Sequence, residues 1–148
     1  MYAVGLPFWK LLARLGVPVA VRVDVLYDAD ADRFVGTSTG LPGLVCEAPS
    51  RTALSAEIAA SLGDGYDPML SATAPATRHA GAVNDSDVGF YDQVTAALKK
   101  RGFFFVQRGN GQHEIWSDGK LALSVPLACL SRHAANAVCR AAGAGLRF

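Results

Sequence analysis

The chain has 148 residues, 51% of them hydrophobic and 18% charged, which excludes a globally disordered chain and leaves room for one ordinary domain or two small ones. No apolar run is long enough to span a membrane, because Lys10 and Arg14 interrupt the apolar opening, and neither a membrane helix nor a secretory signal is expected. The formal net charge of +1 conceals an asymmetry: −1 over residues 1–62, −3 over 63–89 and +5 over 90–148. A basic excess gathered into one small unit is the electrostatic footprint of a polyanion binder. Cys46, Cys129 and Cys139 are few, odd in number and far apart, which predicts reduced thiols and a cytoplasmic location rather than a disulfide framework or a zinc site.

Taken in chain order, Pro7 suits the first turn of a helix and Gly16 its end, with Phe8, Leu11, Leu12 and Leu15 at helical spacing. Val19, Val21, Val23, Val25 and Tyr27 alternate with other residues and predict a strand with one buried face. Asp28–Asp32 reads as a solvated polar turn, not a calcium loop, since the Gly and the bidentate Glu of such a loop are missing. Strands follow over Arg33–Ser38 and Leu44–Ala48, separated by the turn Thr39–Gly43. Ser50 is an N-cap for a helix with Leu54, Ile58 and Leu62 on one face. Residues 71–87 are small and polar and read as a linker.

The ordered set Val21–Asp28, Phe34–Ser38 and Leu41–Ala48, with its acidic turn, Thr-Ser strand end and Leu-Pro-Gly turn, resembles the antitoxin domain of the HicB family. The resemblance covers about 45 residues and implies a partial RNase H-like sheet with helices, no RNase activity of its own, and a role in masking a toxin. No DNA-binding segment follows the matched residues, so DNA binding is not expected.

Beyond the linker, Phe90, Val94, Ala97 and Leu98 share a helical face that ends at Lys99, Lys100, Arg101 and Gly102, cations suiting the last turn. Strands are expected over Phe103–Arg108, Gln112–Ser117 and Lys120–Val125, joined by the tight turns Gly109–Gly111 and Asp118–Gly119. Pro126 ends the third strand. Ser131 caps a closing helix with Ala135, Val138, Cys139 and Ala142 on its apolar stripe, and Gly143 stops it. The expected class is α+β, with two small domains: 1–70, and an α-β-β-β-α unit over 88–148.

His113 follows a glycine turn at the head of a strand. There an exposed imidazole can exchange a proton near neutrality. Lys99, Lys100, Arg108 and Lys120 are the cations expected to hold phosphates around it. RNA carries its own nucleophile in the 2′-hydroxyl, so one acid/base group plus cations suffices for strand scission, and no metal or cofactor is expected. Trp116 and Phe103–Phe105 are candidates for base stacking or core. His133 reads as a helix-surface residue and His79 as an inert linker residue.

Val94–Phe103, Val106–His113, Ile115–Trp116, Leu123–Pro126 and Ala137–Gly143 resemble the HicA toxin family, with its lysine-rich helix, Gly-Phe, Gly-x-His turn, Val-Pro strand end and closing Ala-Gly. The match spans nearly the whole second unit. It implies a fold like the double-stranded-RNA-binding domain and a metal-independent mRNA interferase whose one catalytic histidine falls on His113. Two departures are Gln112, where the family usually has Ser, and a segment after Pro126 poor in His and Lys. The chain then reads as a fused toxin–antitoxin protein. An endoribonuclease is held inactive by an antitoxin-like domain, through contact within one chain or between chains, with mRNA as substrate. Two other readings stand. One is an RNA-binding module whose nuclease has decayed. The other is a protein–protein module or homo-oligomer built through exposed sheet edges.

Overall fold

The computed structural model describes residues 2–3, 19–63 and 89–148. The helix expected at Pro7–Gly16 and the linker at 71–87, His79 included, lie outside the described residues. Within them the chain is a small α+β protein with two three-stranded antiparallel sheets and three helices. The elements are β1 (Tyr2–Ala3), β2 (Val19–Ala20), β3 (Asp24–Asp28), β4 (Arg33–Thr37), β5 (Val45–Ala48), α1 (Arg51–Gly63), α2 (Tyr91–Lys100), β6 (Phe104–Arg108), β7 (His113–Ser117), β8 (Ala122–Pro126) and α3 (Arg132–Ala141). β1 and β2 form a short parallel pair. The sheets run β3-β4-β5 and β6-β7-β8.

Among the described residues, no helix is long and apolar enough to cross a membrane.

The second half follows its sequence signals closely. Ser131 Oγ accepts from the main-chain N–H groups of His133 and Ala134, as an N-cap should. The expected strand over Val19–Tyr27 does not form as one piece: the backbone leaves the extended ladder at 21–23 and separates β2 from β3. Its expected buried face forms only in part, through Val21 and Val23, which pack against the core beneath α1. Val25, Leu26 and Tyr27 are all about half exposed, because β3 is an outer strand of its sheet among the described residues. In α1, Leu54 is buried and Ile58 partly so, but Leu62 turns to the surface and Ser61 takes the buried position. Ser50 Oγ caps this helix by accepting from Ala53 N–H at 3.1 Å.

The two sheets meet along β5 and β8, where Ser124 N–H donates to Gly43 C=O at 2.9 Å. Strand alternation then sorts the side chains of both sheets onto two faces. On one face, Cys46, Ala48, Ile115 and Ala122 pack with Leu54, Ile58 and Val106 beneath α1. On the other, Val35, Val45, Trp116, Leu123 and Val125 pack with α2 and α3 through Val94, Leu98, Ala135 and Val138. Each cluster draws on both halves of the chain. Truncating Leu98 or Leu123, neither of them measurably exposed, to alanine costs about 2–5 kcal/mol.

Candidate functional site

The position of His113 follows from this layering. It opens β7, pairs with Pro126 of β8, and lies on the same face as Ile115, the face that α1 covers. It is therefore 1% exposed, not presented at a mobile turn as the sequence predicts. The expectation of an exposed ring fails because a helix from more than fifty residues earlier lies over it. The burial is polar, not apolar. Glu57 Oε2 lies 3.2 Å from His113 Nδ1, and Ser61 Oγ lies 3.4 Å from His113 Nε2. Both ring nitrogens are thus engaged by α1. Glu57 also accepts the Gln112 main-chain N–H at 2.9 Å and 2.8 Å through its two oxygens. Ser61 in turn contacts Cys46 Sγ at 3.5 Å, and burial pushes the Cys46 thiol up to about 11.

Ser61, His113 and Glu57 stand in the order of an acyl-transfer triad. That chemistry is closed to them here, since Ser61 is 0% exposed and lies within the packed face of α1. The arrangement works as a clasp between a helix and a strand.

The four expected phosphate-binding cations do not surround His113. Arg108 pairs with Glu114 across β6 and β7 and lies at the His113 end of the sheet. Phe104 pairs with Ser117, so the C-terminal end of α2, with Lys99 and Lys100, lies at the other end of β7. Lys120 sits in the turn just beyond Ser117. A five-residue strand spans about 13 Å, which separates three of the four cations from the imidazole. All four are exposed, and Lys99, Lys100, Arg101 and Lys120 make a basic end of their own. A groove of about 260 Å3 near that end is lined by Ala96, Ala97, Lys100, Arg101 and Leu146, and His113 has no part in it.

Trp116 is 1% exposed, donates from Nε1 to Glu114 Oε2 at 3.0 Å and meets Phe105 edge-on. Phe103 is buried in the same core. Neither is open to a base in this conformation. His133 is exposed on the first turn of α3, as expected.

A second set of contacts ties the halves together at α3. Glu47 accepts from the main-chain N–H groups of Leu130 and Ser131, both at 2.9 Å. Asp28, 3% exposed, accepts from Ser131 Oγ at 2.5 Å. That bond holds the Asp28 carboxyl below its usual range, against the opposing effect of desolvation. Asp30 pairs with Arg132, and Asp32 accepts from Tyr27 Oη. The expected solvated Asp28–Asp32 turn is therefore partly an interface. Among the described residues, no group of three His, Cys, Asp or Glu side chains is placed to hold a metal ion.

Glu57, Ser61 and Glu47 escape a reading from sequence alone. For the first two a signal exists: they fall three and seven residues after Leu54, on the buried stripe of α1. A polar residue on such a stripe requires a partner. Neither a protein-family model, nor a curated protein, nor a solved structure matches the chain.

Proposed function

We propose that the chain is a self-masked, metal-independent endoribonuclease in which His113 is the acid/base and the 1–70 half is the mask. What carries the reading is the engagement of both His113 ring nitrogens by Glu57 and Ser61 of the other half. An imidazole held that way neither accepts nor donates a proton to a substrate. When α1 lifts, the same imidazole at the end of β7 is free to work.

The reaction balances without a metal or cofactor. The ribose 2′-oxygen bonds to phosphorus as its proton passes to His113. The phosphorus–5′-oxygen bond breaks, and the leaving oxygen takes a proton from the imidazolium. The products are a 2′,3′-cyclic phosphate and a 5′-hydroxyl end. Lys99, Lys100 and Lys120 lie too far along the sheet to touch the reacting phosphate, so in this reading they hold more distant phosphates, with Arg108 the cation at the reacting end.

Full-length protein carrying Glu57→Ala, incubated with single-stranded RNA in chelator, tests the proposal. Faster cleavage than by the native chain, ending in cyclic phosphates and lost on adding His113→Ala, is the expected result. Cleavage that survives His113→Ala assigns the activity elsewhere and ends the proposal.

A further inference from the structure

The clasp shows something about the strand it closes on. Glu57 approaches the backbone at Gly111 so closely that a β-carbon there would lie 2.4 Å from Oε2 and 2.7 Å from Oε1, well inside van der Waals contact. The absent side chain opens a space, and two donors point into it: the Gln112 main-chain N–H, which bonds both carboxylate oxygens, and His113 Nδ1. Two oxygens of one anion on a main-chain N–H, beside an imidazole, is the geometry of an anion cradle. A second observation points to the same face. Ser124 Oγ is buried and has no hydrogen-bond partner among the described residues. Ser124 pairs with Ile115, and Pro126 with His113, which puts Ser124 on the α1 side, diagonally across from His113 at about 7–8 Å. Leaving a hydroxyl buried and unbonded is costly, and a site that is opened to a polar ligand removes that cost.

We infer that Gly111, the Gln112 main-chain N–H and His113 form a binding cradle for one phosphodiester of single-stranded RNA, that Ser124 hydrogen-bonds the adjoining nucleotide, and that Glu57 is a carboxylate standing in for that phosphate. The inference rests on the endoribonuclease reading and names the substrate-binding groups of that site. The donor for developing phosphoryl charge is then main chain, placed within reach of the proton-transferring ring. Glu57 masks the imidazole by filling the substrate's own place.

The test uses full-length protein and a fluorescent single-stranded 2′-O-methyl RNA, which binds but offers no 2′-hydroxyl for cleavage. Fluorescence anisotropy should show Glu57→Ala binding the probe about 30-fold more tightly than the native chain. The probe should shift the Gln112 amide resonance. Adding Gly111→Ala to Glu57→Ala fills the cradle and should return binding to the native level, and adding Ser124→Ala should weaken it in part. Gly111→Ala meets only the end of a flexible side chain, which Glu57→Ala has already removed, so the double variant should keep the single variant's melting temperature. Equal binding with glycine or alanine at 111, or a Gln112 amide that does not respond, overturns the inference. The amide titration of Glu57→Ala decides the matter if the double variant does not fold. Cleavage of unmodified RNA separates the two ideas. Cutting that ignores residue 111 keeps the nuclease and removes the cradle, and Gly111-dependent binding without cutting does the reverse.

Discussion

Removing the Glu57 carboxylate is the sharpest perturbation of the proposed mask. Glu57 makes charge-assisted contacts to Gln112 N–H and to His113, and hydrogen bonds to charged groups contribute about 1.5–3 kcal/mol each. Its side chain is 16% exposed, and water replaces part of what alanine deletes. A net loss of about 2 kcal/mol in the closure of α1 is reasonable, which raises the open population about 30-fold. If cleavage requires the open state, the initial rate on single-stranded RNA should rise by the same factor while the cut sites stay unchanged. The assay is a quenched fluorescent oligonucleotide in chelator, run beside a thermal melt to show that the variant is folded. The reasoning is refuted if a folded Glu57→Ala protein cuts no faster than the native chain. It is refuted equally if Glu57→Gln, which keeps the shape and loses the charge, matches the native rate while Glu57→Ala does not fold.

The α3 contacts predict separate effects. Glu47→Ala strips the acceptor from Leu130 and Ser131 N–H, and loss of about 2 kcal/mol there should lower the melting temperature by about 4–8 °C, as read by circular dichroism. Asp28 titrates below its unfolded value because Ser131 bonds the charged form. Its contribution is therefore complete above the unfolded carboxylate pKa of about 4 and is lost as pH falls through the lower folded value. Urea midpoints measured across that acid range should fall less steeply in Ser131→Ala than in the native chain. Cys46, buried under α1 with its thiol held at about 11, should react slowly with iodoacetamide at neutral pH. Peptide mass mapping should show Glu57→Ala speeding Cys46 alkylation about as much as it speeds RNA cleavage, since both need the same helix to lift.

How far the sequence foretells all this differs between the halves, and the reasons are physical. In 88–148 the local signals agree with one another: the turns at Gly109–Gly111 and Asp118–Gly119, the Ser131 cap and the stripe through Val138 and Cys139 all point to helix, three strands, helix, and the structure has that order. In the first half, alternation from Val19 to Tyr27 predicts a buried face, but alternation does not say which strand is an edge. Val25 and Tyr27 are left half exposed on β3. His113 was recognisable as a candidate because its neighbours form a Gly-x-His turn. Its burial was not, because that depends on Glu57 and Ser61, more than fifty residues away. Closeness in sequence around a hairpin groups Lys99, Lys100 and Lys120 with it, whereas the register Phe104 to Ser117 carries them to the far end of the sheet.

The acids of the first half divide their work. Glu47 and Asp28 bond Leu130 and Ser131, the residues just before α3. Glu57 contacts the imidazole. The contacts at the start of α3 and those to His113 are therefore made by different side chains on different elements, β3 and β5 for the first and α1 for the second. α1 packs on β4 and β5 of its own half through Leu54 and Ile58 and reaches His113 and Gln112 through Glu57 and Ser61, so the proposed lifting would break both sets of contacts. If α1 lifts as proposed, the imidazole is exposed while Glu47 and Asp28 keep the halves together. In that reading the masked and open states differ by a local event, and return of the helix would restore the mask.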